Sequence, residues 1–203
     1  MTARTDRIVI LGAAFLAGVA LCLGGILLLT NRQVTAVANS VSPFQSTVGG
    51  PFQLVDQEGR ATTDRDLLGR PFLVFFGFTH CPDVCPTTLF EISEVLNRLG
   101  SGAERISALF VTVDPERDTP QSLKDYLSSF NPRLRGLTGD PAAIAATLKS
   151  YRVYAKKVPL DGGNYTMDHT AIVYLMDKDG RFVAPFNMKR KPDELAADLR
   201  RYL

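Results

Sequence analysis

The chain has 203 residues, 45% of them hydrophobic and 22% charged, with a formal net charge of +2. That composition supports a folded core, and the length fits one globular domain plus a smaller part. A charge so close to neutral supplies no basic stripe, which excludes nucleic-acid binding as the main role.

The smaller part is N-terminal. Arg4 and Arg7 precede an uncharged apolar run from Ile8 to Leu29. As a helix this run is about 33 Å long, enough for a bilayer core of about 30 Å. The expectation is a cytoplasmic tail at 1–7, a single transmembrane anchor at 8–29 and a polar, small-residue linker at 30–50. A cleaved signal peptide is the competing reading, with Ala36-Val37-Ala38 as its cleavage site. The run exceeds the roughly 7–15 apolar residues of such a peptide, which favours an uncleaved anchor. Cys22 lies inside the run after Leu21 and reads as a lipid-facing filler rather than a lipoprotein cysteine.

Residues 51–203 read as the exported domain. Pro51 to Thr63 predicts a hairpin turning at Gln57-Glu58-Gly59. Pro71 to Phe78 is a continuous apolar run, the pattern of a strand buried on both faces. Pro86 can open a helix at its first position, and Leu89, Ile92, Leu96 and Leu99 follow on one face. Ile106 to Val113 predicts a second buried strand, so the three segments form a βαβ unit. Thr119 is placed to cap a helix that starts at Pro120 and buries Leu123, Tyr126, Leu127 and Phe130. A shorter helix follows Asp140-Pro141 and carries Ile144, Leu148 and Tyr151. Strands are expected at 151–158 and 171–176, the latter turning through Asp177 to Gly180 into a second hairpin. A last helix, Pro192 to Leu203, turns Leu195, Leu199 and Tyr202 inward. This order predicts an α/β, thioredoxin-like fold with an extra N-terminal β-hairpin, preceded by the single transmembrane helix.

The chemistry concentrates at Cys81 and Cys85, in GFTHCPDVCP (77–86), where the first buried strand hands over to a helix. If both lie on the first helical turn, their i,i+4 spacing puts them on one face. There they could form a disulfide, act as a redox couple or hold a soft metal ion. A helix N-terminus favours the thiolate that the last two uses require. In an oxidising compartment one bridge adds little to a domain this large, so a functional pair is the better reading than two inert thiols. His169 enters the 171–176 strand from the side that faces the cysteine helix in such a fold, followed by Thr170 where thioredoxins carry a proline. It is the expected third ligand. His80 adjoins Cys81 on the strand side and is the weaker candidate. Asp83 and Asp168 flank the ligands and could orient them, or serve as ordinary loop and cap carboxylates. Tyr165, Met167 and Met188 are not separable from packing residues. Two thiolates and an imidazole suit Cu(I) and accommodate Cu(II); zinc would want a fourth ligand, which Asp83 or water could supply.

Five blocks in order, GFTHCPDVCP (77–86), VTVDPERDTP (111–120), LRGLTGD (134–140), YRVYAKK (151–157) and YTMDHTAIVYLMDKDG (165–180), resemble the Sco/SenC family. The resemblance runs from about Pro51 to the C-terminus, and the anchor matches too. It implies a membrane-anchored copper chaperone with Cys81, Cys85 and His169 as ligands, serving cytochrome c oxidase assembly. The implied partners are oxidase subunit II, whose Cu(A) site would receive the copper, and a copper donor chaperone. A disulfide between the two cysteines would switch binding off. The alternative is a thiol–disulfide oxidoreductase that reduces the Cu(A) cysteines and has no need of His169. No Arg/Ser-rich organelle-targeting segment precedes the apolar run, so a bacterial inner membrane with the domain in the periplasm is expected.

Overall fold

The computed structural model describes residues 48–203. The expected tail, anchor and most of the linker lie outside the described residues, and no described helix is long and apolar enough to cross a membrane.

Strands β1 (Gln53–Asp56) and β2 (Ala61–Thr63) form the N-terminal hairpin, turned by Gly59 at φ 78°. β3 (Phe72–Gly77) is buried at every position, as its unbroken apolar run requires. Helix α1 (Val84–Leu99) follows, then β4 (Ser107–Thr112) and helix α2 (Pro120–Leu127). β5 (Leu134–Thr138), helix α3 (Pro141–Ser150), and the hairpin of β6 (Ala155–Pro159) and β7 (Tyr165–His169) come next. β8 (Val173–Met176), β9 (Phe182–Phe186) and helix α4 (Pro192–Leu199) complete the domain.

The main sheet runs β2-β1-β5-β4-β3-β8-β9, and β6-β7 form a separate two-stranded sheet. β3, β4 and β5 are parallel, while β1, β8 and β9 are antiparallel to their neighbours. The architecture is the thioredoxin-like α/β plan with the expected N-terminal hairpin. Phe75, Phe76 and Phe110 are fully buried at the sheet centre. The apolar face of α1 covers one side, and α4 packs against α1.

Several elements depart from the sequence reading. β5 was not expected, because LRGLT interrupts its apolar residues with Arg135 and Gly136. Both serve the tertiary packing: Arg135 reaches Thr62 and Asp56 on the neighbouring hairpin. A Cβ on Gly136 would lie 2.8 Å from a Leu127 methyl of α2. The strand expected from Tyr151 starts at Ala155, because the intervening residues close α3. The Val153 N–H donates to the Leu148 carbonyl (2.9 Å) around Arg152 at φ 56°. That is a helix C-cap in the left-handed region, built on an arginine that gives no signal for it. α4 stops at Leu199, which leaves Tyr202 exposed instead of inward-facing. α1 begins two residues before Pro86, which therefore sits in its first turn, where a missing N–H is tolerated.

The cap expected at Thr119 forms, and Asp140 caps α3 in the same way. Thr119 Oγ1 accepts the Ser122 N–H (3.2 Å), and Asp140 Oδ1 accepts the Ala143 N–H (2.8 Å). Replacing Asp140 with alanine is expected to cost about 1 kcal/mol of unfolding free energy. Asp140→Asn should retain most of it, as read by urea denaturation of the full-length protein.

Candidate metal centre

Because β3 is enclosed by β4 and β8, its chain first reaches the surface beyond Gly77. The Val113 N–H donates to the Gly77 carbonyl (2.8 Å), the last rung of that ladder. The following loop turns at Phe78, whose carbonyl accepts the Cys81 N–H (3.2 Å). Only Cys85 lies in the first helical turn; Cys81 stands in the loop before it, so the two do not share a helix face. The loop geometry brings them together instead. Cys81 is half-buried and Cys85 fully buried, and both are free thiols in this structure.

Gly77 makes room for the buried sulfur. A Cβ there would lie 2.7 Å from Cys85 Sγ and 2.7 Å from the Phe110 ring. His169, the last residue of β7, arrives from the opposite side. Its Nε2 is 3.7 Å from Cys85 Sγ, and its Nδ1 is 3.1 Å from the Thr170 carbonyl. A carbonyl only accepts, so Nδ1 carries the proton and the Nε2 lone pair points at the sulfur. The Phe78 ring meets the imidazole edge-on, with centroids 5.7 Å apart. The ligand atoms of Cys81, Cys85 and His169 all lie within 4.8 Å of one another.

Burial dominates the electrostatics. It pushes the Cys85 thiol far up, with Cys81 adding to the rise and a Phe78 backbone hydrogen bond opposing it. This reverses the expectation that the helix N-terminus favours a thiolate: desolvation outweighs the dipole at a site with no exposure. Burial also lowers the His169 pKa, against the Thr170 hydrogen bond and the Asp168 charge. The imidazole is therefore held neutral, which is the ligating form. Without a cation Cys85 therefore stays a neutral thiol; a bound metal ion would offset the cost of burying its thiolate.

The other sequence candidates take lesser places. Asp83 is the N-cap residue of α1, exposed, and its side chain does not cap the helix. Asp168 is exposed on β7 opposite Lys156 and reaches His169 through its charge alone. His80 does not join the cluster; its Nδ1 lies 3.0 Å from Thr79 Oγ1 and 3.9 Å from Asp118 Oδ1. The sequence reading missed Asp118, whose carboxylate is fully buried under the cysteine loop. It accepts the Thr79 hydroxyl (2.6 Å) and N–H (3.1 Å) and the Thr112 hydroxyl (2.6 Å). A carboxylate in a loop of four charged residues and a proline gives no sequence signal of burial.

The family model SCO1/SenC matches residues 40–203. The chain belongs to the SCO1/SenC family. Bradyrhizobium japonicum ScoI, solved with copper bound, is 67% identical; the match covers 77% of this chain and 99% of that one, with a TM-score of 0.76. The human mitochondrial SCO1 homolog is 40% identical over 155 residues, 75% of this chain and 52% of the relative. BsSco, described as a member of the Sco family of cytochrome c oxidase assembly proteins and as bearing a disulfide switch, shares the fold. It is 24% identical with a TM-score of 0.61, over 78% of this chain and 94% of that one. The chain spans about half the length of the first curated Sco relatives it matches.

Gly77→Ala is expected to displace Cys85 Sγ or the Phe110 ring at a cost of about 1–3 kcal/mol. Chemical denaturation checks the stability, and faster alkylation of Cys85 in the folded protein would report the displaced sulfur.

Proposed function

We propose that this chain is a membrane-anchored copper chaperone that holds copper through Cys81, Cys85 and His169. It delivers the metal to the Cu(A) site of cytochrome c oxidase subunit II during oxidase assembly. The observation that carries this reading is the convergence of two sulfurs and one imidazole nitrogen within 4.8 Å. Among the described residues no fourth histidine, cysteine or carboxylate joins the cluster. Three ligands with two thiolates are a soft set, suited to Cu(I) and short of the four that structural zinc takes. Copper in the family relative ScoI supports the same choice.

Cargo must also leave. Cys81 is half-buried while Cys85 has no exposure, so an incoming thiolate would reach the metal from the Cys81 side. Exchange would then proceed one ligand at a time, Cys85 last. The apolar run at 8–29 would hold the domain on the periplasmic face of a bacterial inner membrane, within reach of an oxidase subunit and of a copper donor chaperone.

A second reading rests on the same two free thiols in a thioredoxin-like fold. In it the chain reduces the Cu(A) cysteines as a thiol–disulfide oxidoreductase. His169 separates the two. Competition titration of the reduced full-length protein with Cu(I) should show tight one-to-one binding, abolished by Cys81→Ser and strongly weakened by His169→Ala. Copper binding absent from the wild type, or unchanged in His169→Ala, would overturn the chaperone. Disulfide reduction that survives His169→Ala would then establish the oxidoreductase.

A further inference from the structure

The two arms of the metal centre come from different parts of the fold. The cysteines follow β3 in the main sheet, whereas His169 ends a hairpin that pairs with no strand of that sheet. Ala155 and Met167 pack that hairpin against the core, and His169 at its end meets Phe78 and Cys85; the start of β7 is gripped by one loop, residues 114–118. Arg117 Nη1 donates to the Tyr165 carbonyl at the start of β7 (3.0 Å), and its Nε donates to Asp114 Oδ2 (2.5 Å). The Tyr165 hydroxyl donates to Asp114 Oδ1 (2.9 Å), closing a ring of three residues. The guanidinium carbon also stands 3.8 Å from the Tyr165 ring centroid, and Lys157 reaches that ring from β6 (4.6 Å) while pairing with Glu116 (2.5 Å).

The same loop grips the other arm. Asp118 binds the Thr79 hydroxyl and N–H, two residues before Cys81. The Asp114 side chain is fully buried and that of Arg117 is 18% exposed. A charged pair so desolvated holds its geometry firmly, because either partner alone would be stranded.

We propose that the 114–118 loop is a clasp that sets the spacing between the cysteine arm and the histidine arm. Asp118 grips the first through Thr79, and Arg117 with Asp114 grips the second through Tyr165. Arg117 and Tyr165 are thereby positioning residues for His169. The proposal rests on the copper reading above and adds to it the residues that hold the ligands in register.

The test is a double-mutant cycle on the full-length reduced protein, titrated with Cu(I) against a competing chelator. Arg117→Gln is expected to weaken binding about 10–100-fold, the usual cost of removing a residue that orients a ligand. In the His169→Ala background it should have no further effect, because Arg117 acts through His169. Tyr165→Phe keeps the ring and the carbonyl and should give a smaller loss, equally absent without His169; it serves if Arg117→Gln fails to fold. Arg117→Lys should not restore affinity, since a single ammonium cannot bind Asp114 and the Tyr165 carbonyl in the planar fork that Arg117 uses. Equal losses in both backgrounds would reduce the loop to a general stabiliser and overturn the proposal. Unchanged affinity in folded Arg117→Gln and Tyr165→Phe would overturn it too. A wild type that binds no copper, or a His169→Ala variant that binds as well as the wild type, would instead bring down the copper reading and the clasp with it.

Discussion

Enclosure of β3 governs the rest of the molecule. With β4 and β8 on its two edges and apolar layers on both faces, this strand has no polar outlet along its length. Its backbone groups are satisfied only while both ladders stay intact. The chain therefore emerges at one fixed place, beyond Gly77, and the loop formed there inherits the rigidity of the sheet. A ligand pair on such a loop is held to the precision of the core rather than that of the surface. The absence of a side chain at Gly77 then lets one sulfur sink to the level of Phe110.

Burial at the site works in two directions. It disfavours the Cys85 thiolate and the His169 imidazolium together. The metal-free centre is thus a neutral pocket in which an S–H faces a nitrogen lone pair. A soft cation that brings its own positive charge reverses the sign for the thiolate while leaving the neutral imidazole as it is. The partly buried Cys81 leaves one edge of the cluster nearer to solvent than the fully buried Cys85.

The contrast between the two arms follows from how each is built. The cysteine arm is continuous with the main sheet. The histidine arm is a two-stranded hairpin, a unit of marginal stability in isolation, so its position depends on what it leans against. The buried Asp114–Arg117 pair contributes to that support from a loop that is charged at every position but Pro115. Polar residues there hold position through buried hydrogen bonds instead of apolar contact, with Arg117 Nη2 alone among them left without a partner.

Much of this was legible in the chain. The apolar run of β3, the face of α1, the cap at Thr119, and the terminal hairpin all follow from local pattern, because burial imposes its period on the sequence. The chemical identity of the site was equally local: two cysteines and one histidine are rare enough that their partnership could be read from residue type and expected topology. What the tertiary structure alone decided are distances and environments. β5 exists because neighbouring strands complete it, although Arg135 and Gly136 obscure its pattern. Cys85 is a suppressed thiolate because desolvation in the folded state outweighs a helix dipole that sequence can predict. Asp114, Arg117, Asp118 and Tyr165 bear on the site only through contacts between residues up to 51 positions apart. Residue type and periodicity carry no record of such contacts, since a polar loop looks the same in sequence whether it faces water or is folded into the core.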